Sequence, residues 1–189
     1  MNLIFGCATT LSDNHYFASL KEAIERNYGQ DAIVPNTGIS SNRIGYIDDG
    51  GKVLGYASDS HLSLIFLGAL YKPLPGWNRG SPLDDPHATA EYLLSRYRQL
   101  GLEFLYQVCG QYVIVVCHHD ENRLILANDH SGTRVMFCTE IDDSLIFSTN
   151  IYSIAEALGG KLEIDRSLED FMLIYGFLPW NRTVYRCDP

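Results

Sequence analysis

Three groups of residues in this chain are of types that do chemistry. Five cysteines, Cys7, Cys109, Cys117, Cys138 and Cys187, offer thiols. The run His118-His119-Asp120 offers metal-binding donors, and Asp129-His130 sets an acid beside an imidazole. The thiols are odd in number, form no CxxC pair and share no Cys/His spacing that suits zinc, so they read as ordinary buried thiols packing as small hydrophobes. Adjacent strand residues point to opposite faces, so His118 and His119 cannot easily share one ion, and the run reads as a solvated hairpin end. No metal is expected. Asp129 precedes Ser131-Gly132 in a turn-like stretch where a carboxylate satisfies backbone donors, with a catalytic acid the lesser reading.

The elements that must position these residues follow from periodicity. Residues 3–5 make a first buried strand, and Ser12-Asp13-Asn14 offer caps for an amphipathic helix over 16–28, with Phe17, Leu20 and Ile24 at helical spacing. Short alternating runs at 32–34, 43–46, 52–56 and 63–66 read as strands, punctuated by Gly and Asp. A loop with four prolines, 73–86, leads into a helix at 87–100. The β-branched run 111–117, a polar turn and the run 124–127 form a hairpin, with a third strand at 135–138. Then come a strand from 145, a helix at 150–158, a strand at 161–165 and a helix at 166–174. Gly50-Gly51 and Gly159-Gly160 read as turns. The succession predicts an α+β fold with two stacked antiparallel sheets between helical layers.

At 189 residues and 46% hydrophobic, the chain suits one domain, 1–189. Its net charge of −9 comes without a basic patch or polybasic arm, which argues against nucleic-acid and membrane partners. The apolar segments are short and interrupted, so neither a transmembrane helix nor a signal peptide is expected, and a cytoplasmic location follows.

Several segments, in order, resemble one family. Met1-Asn-Leu-Ile-Phe-Gly6 is similar to an opening Met-Cys-Gly-Ile-Phe-Gly, and Leu67-Gly-Ala-Leu-Tyr71 to Asn-Gly-Glu-Ile-Tyr. Gly101-Leu-Glu-Phe-Leu105 and the stretch through Asp129 and Gly132 are similar to G-x-E-F-L and A-R-D-x-x-G-x-x-P-L-Y. Leu145 to Ile154 sits where the family has a strand, Ala-Ser-Glu and a helix. Tyr175-Gly-Phe-Leu-Pro179 with Asn181-Arg-Thr183 resembles a Tyr-Val-Pro-x-x-Arg-Thr ending. The family is the class II glutamine amidotransferase (glutaminase) domain of asparagine synthetases and their relatives. The resemblance implies the four-layer αββα sandwich of N-terminal-nucleophile hydrolases.

It also implies a site, from which this chain departs. In the family, removal of the initiator methionine exposes a cysteine that attacks the side-chain amide of glutamine, with its own α-amino group as base. Asn2 occupies that position, and a carboxamide is no nucleophile; Met1 is expected to stay. The oxyanion-hole asparagine and glycine fall on Leu67 and Gly68, so a backbone donor is expected to survive while the side-chain donor is gone, a loss of about 3 kcal/mol in transition-state stabilisation. The aspartate for the substrate ammonium falls on Thr89. Arg43 is a poor match for the family's carboxylate-binding arginine. Trp77 and Arg79, in the proline-rich loop, are candidates for a lid over the altered pocket, beside a purely structural reading.

The resemblance therefore implies a degenerate glutaminase domain kept as a structural or interaction module. Its partner would be an ATP-dependent amide-forming synthetase domain of asparagine synthetase, β-lactam synthetase or lasso-peptide cyclase type. ATP and Mg2+ would belong to that domain and no cofactor to this one. The Ser-Gly-Gly-x-Asp-Ser phosphate loop of such domains is not found here, so the chain reads as part of a longer synthetase. Two alternatives remain. One is an active amidohydrolase using Cys7 after removal of residues 1–6; the other is a module binding a small molecule or peptide at Leu67, Gly68, Thr89 and Trp77. A homodimer is left open.

Overall fold

The computed structural model describes residues 2–9, 15–35, 42–50, 53–71, 85–160, 162–176, 178, 182–183 and 185–187. The caps expected at 12–14 and the candidate lid residues Trp77 and Arg79 lie outside them. In chain order come β1 (Leu3–Thr9), α1 (His15–Tyr28), β2 (Asn42–Ile47), β3 (Leu54–Ser58), β4 (Leu62–Leu70) and α2 (Pro86–Leu100). A 3-10 helix (Gly101–Gln107) leads to β5 (Gly110–His118), β6 (Arg123–Asn128), β7 (Phe137–Ile141) and β8 (Ser144–Ser148). The chain continues through α3 (Ile151–Ala157), β9 (Leu162–Ile164), α4 (Arg166–Tyr175) and β10 (Tyr185–Cys187).

Two four-stranded antiparallel sheets result, ordered β2-β1-β8-β7 and β3-β4-β5-β6, with β9 and β10 as a separate pair. Side-chain alternation sorts each strand between layers. From β1, Leu3, Phe5 and Cys7 join Phe17, Leu20 and Ile24 of α1 and Ile154 of α3 in one core. Ile4, on the other face, joins Ile44, Phe147, Leu54, Ile65, Leu67, Val113 and Val115 between the sheets. Leu64, Phe66, Ile114 and Val116 face outward from the second sheet to meet Leu93, Leu94 and Tyr97 of α2 and Phe104 of the 3-10 helix. The layers are therefore helix, sheet, sheet, helix, the expected αββα sandwich. No helix among the described residues is long and apolar enough to cross a membrane.

The helices begin where polar side chains take up their orphan amides. Asp85 caps α2, accepting from the backbone N–H of His87 at 2.9 Å, and Pro86 fills the first helical position, where its missing N–H costs nothing. Asn150 caps α3, accepting from Tyr152 N–H at 2.8 Å. Three expectations shift. The strand at 32–34 shrinks to one bridge, Ile33 with Tyr46, because Pro35 follows and has no ladder donor. The strand at 63–66 extends to Leu70, paired with β5 along its whole length. The strand expected at 135–138 begins at Phe137, because Asp129 holds the Arg134 N–H in a loop. Of the thiols, Cys7 and Cys117 are buried as expected, whereas Cys109 and Cys138 are exposed.

Helix α2 rests directly on β3. A Cβ at Gly55 would overlap the backbone carbonyl of Pro86, and backbone has no rotamer with which to yield. Gly55→Ala is expected to cost about 2–3 kcal/mol by overpacking. A urea midpoint equal to or above that of the wild-type protein would disprove the close approach.

Candidate functional site

Asn2 stands immediately before β1 and is partly buried. Its side-chain Oδ1 accepts a hydrogen bond from the backbone N–H of Asp49 at 3.0 Å, which ties the start of β1 to the end of β2. Next along, Ile4 and Thr149 are clamped together: Ile4 N–H donates to Thr149 Oγ1 at 3.1 Å, and Thr149 N–H to the Ile4 carbonyl at 2.9 Å. A carboxamide engaged in this way offers no ionisable nucleophile. Cys7 is five residues away in the middle of β1, opposite Arg43 on one side and Ile146 on the other. It is fully buried against the α1 layer, and burial pushes its thiol up to about 11. A thiol so protonated and so enclosed is a poor nucleophile.

Leu67 and Gly68 sit near the end of β4. Leu67 pairs with Leu54 and Val113 and is buried between the sheets. Gly68 takes φ 145°, a conformation that side chains rarely adopt, and a Cβ there would strike the Gln111 carbonyl and Tyr112 Cα. Its N–H donates to the Val53 carbonyl at 2.7 Å. The backbone donor expected to survive for an oxyanion is thus engaged within the sheet. A main-chain carbonyl as acceptor leaves no mark in a sequence, so side-chain reasoning had no means of finding Val53.

Thr89 lies in the first turn of α2, in the layer outside the second sheet. It is buried, and its Oγ1 donates to the Asp85 carbonyl at 2.9 Å. Leu67, facing the gap between sheets, and Thr89, beneath α2, therefore belong to different layers of the sandwich. Arg43 is exposed on β2, with its guanidinium 6.0 Å from the Phe17 ring centroid, on the α1 side of the first sheet. Two cavities open elsewhere. One, of about 750 Å3, lies beside Thr9, Asn122, Glu140 and Asp142; the other, of about 430 Å3, lies beside His61, Tyr97, His118 and Glu121. Neither is lined by Asn2, Leu67, Gly68 or Thr89.

The second of these cavities holds groups that the sequence had presented as a hairpin tip. His118 and His119 point to opposite faces, as expected. His118 Nε2 accepts from the Tyr97 hydroxyl at 2.6 Å if the imidazole is neutral, and its ring stands edge-on to Tyr97. Burial holds His118 below the usual imidazole range, with Glu121 opposing the shift. On the other face, His119 Nε2 lies 2.8 Å from Ser63 Oγ. His61, exposed in the turn ahead of β4, pairs with Asp120 at 2.5 Å. The tip is therefore a polar network half-buried against α2, and solvent alone does not describe it.

Asp129 does what its turn predicts. One carboxylate oxygen accepts from the N–H of Ser131 and Thr133, each at 3.1 Å, and from the Thr133 hydroxyl at 2.9 Å; the other accepts from Arg134 N–H at 2.9 Å. That second oxygen also meets Tyr112 N–H at 3.4 Å, and Tyr112 is the strand partner of Gly68. Burial pushes the carboxyl up, but these donors together outweigh it and hold the pKa at about 2. Asp129→Ala, which strands several backbone donors, is expected to cost about 2 kcal/mol or more. Because the folded pKa is depressed, the stabilisation is complete above about pH 4, the unfolded aspartate value, and fades as pH falls through about 2. The stability gap between wild type and Asp129→Asn should therefore narrow between pH 4 and pH 2; a gap constant with pH would show that the carboxylate charge is not what the loop holds.

The model of the glutamine amidotransferase domain family matches residues 83–187, more than half the chain, beginning after Asn2, Leu67 and Gly68. No curated protein matches. Among solved structures, the glutamine phosphoribosylpyrophosphate amidotransferase of B. subtilis, complexed with ADP and GMP, is similar over 82% of this chain at 13% identity, with a TM-score of 0.47. The chain spans 43% of that protein's length. Thr89, the Asp129 loop and α4 all fall inside the family match, and the chain belongs to the glutamine amidotransferase domain family.

Proposed function

We propose that this domain does not hydrolyse glutamine and serves as a structural and interaction module for an ATP-dependent, amide-forming synthetase domain of asparagine synthetase, β-lactam synthetase or lasso-peptide cyclase type. The observation that carries the reading is the state of the two groups chemistry would need. Position 2 presents a carboxamide hydrogen-bonded to Asp49, and the Gly68 N–H is spent on Val53. A glutaminase needs an ionisable nucleophile with a base beside it, and preorganised donors aimed at the developing oxyanion. The Thr89 hydroxyl, turned to its own helix's backbone, leaves a glutamine ammonium without a counter-charge there. ATP and Mg2+ would act in the partner domain, and a cytoplasmic setting suits such a synthetase.

An amidohydrolase that uses Cys7 after cleavage would have to remove the strand residues Leu3 to Phe5, whose side chains build the core under α1 and the gap between the sheets. Glutamate release from saturating glutamine should stay at background for the wild-type chain and for Cys7→Ala alike. Release that Cys7→Ala abolishes would instead make this a processed, active amidotransferase.

A further inference from the structure

The two sheets of the sandwich end in β2, β7, β3 and β6. Along the outer side of β2, Ile33 pairs through both its N–H and its carbonyl with Tyr46. Strand β3 lies against α2, and its Tyr56 N–H donates to His87 Nδ1 at 3.3 Å. Strand β7 carries Glu140. Strand β6 has none of these guards. Leu124-Ile125-Leu126-Ala127 runs without charge, proline or bulge, and Arg123 at its start is the strand's one charge. An apolar edge left open in this way is a template for another strand.

The register says which backbone groups are open. Asp129 N–H donates to the Tyr112 carbonyl at 3.0 Å, so that rung is of the hydrogen-bonded kind, and such rungs alternate along an antiparallel pair. Ile125 and Ala127 therefore bond to β5, opposite Val116 and Ile114. Leu124, Leu126 and Asn128 turn their N–H and carbonyl groups outward, where no described residue pairs with them.

This row is complementary to itself. A twofold axis through Leu126 sets Leu126 opposite Leu126 and Leu124 opposite Asn128, so every outward group meets an outward group of the other copy. The axis also keeps the faces in phase. Leu124 and Leu126, which pack towards the gap between the sheets, stay on that side, and Ile125 falls opposite Ala127 on the α2 side, large against small. Arg123 falls opposite Asp129, so like charge does not meet like across the seam. We propose that two copies of the chain join β6 to β6 in this register, making one continuous sheet through an isologous interface.

Sedimentation of the 189-residue chain over a range of concentrations should show monomer and dimer in exchange, closing at two copies. In the dimer, amide exchange should slow at Leu124, Leu126 and Asn128 and stay unchanged at Ile125 and Ala127, whose N–H groups already bond to β5. Asn128→Pro removes one outward donor and no bond to β5, a place where an edge strand accepts proline. It should weaken dimerisation at least tenfold and leave the melting temperature of the monomer unchanged, while Tyr106→Asp, on an exposed aromatic of the 3-10 helix, should associate as the wild type does. The alternating exchange pattern of the wild type decides the register whether or not the proline variant folds. A chain that stays monomeric at its highest soluble concentration would overturn the proposal. So would a dimer indifferent to Asn128→Pro, a dimer whose slowed amides lie away from 123–128, or growth past two copies. Slow exchange at Leu124 and Leu126 in the monomer itself would show that a segment of the same chain already covers the edge, and would overturn it equally.

Discussion

Everything in this fold depends on how the pleat of β1 divides its side chains between two cores. Leu3, Phe5 and Cys7 go to the helical layer, while Ile4 goes to the gap between the sheets, and a shift of one residue would exchange them. That register is held from both sides, by β2 and β8, and by the reciprocal hydrogen bonds of Ile4 with Thr149. It also decides what Cys7 is. In the outward set, among Phe17, Leu20 and Ile24, a thiol is a small hydrophobe, and its raised pKa is the electrostatic expression of the same burial.

The second constraint runs across the other sheet. Gly68 lies so close to Gln111 and Tyr112 that no side chain fits, and Tyr112 accepts at its carbonyl from the Asp129 N–H and donates its own N–H to the Asp129 carboxylate, which organises the loop before β7. A conformation restricted to glycine and a carboxylate surrounded by amides thus brace one strand pair from two directions. The Asp129 carboxylate is a structural anion here, because every strong contact it makes is to a donor of its own loop or of β5. An aspartate held at so low a pKa is a weak proton acceptor at neutral pH.

The proposed role as a module fits a domain that keeps its packing while the groups at the positions the resemblance assigns to the site take part in the fold. Asn2 braces β2, Gly68 donates to Val53, and Thr89 closes the first turn of α2.

Much of the architecture was legible in the sequence because its signals are local. The periods of 2 and 3.6 and the turn chemistry of Asp129 involve residues within a few positions of one another, so two stacked antiparallel sheets between helical layers and most element bounds could be read directly, while the Asp85, Asn150 and Asp165 caps were found only in the structure. What only the tertiary structure decided were contacts between segments far apart in the chain. The capture of the Gly68 N–H by the Val53 carbonyl arises where β4 pairs with β3, and the separation of Leu67 and Thr89 into different layers and the meeting of Tyr97 with His118 arise where the second sheet meets α2. Every residue but proline has the same backbone donor and acceptor, so sequence cannot say which will pair; long-range packing, which brings a particular carbonyl within 3 Å of a particular amide, does.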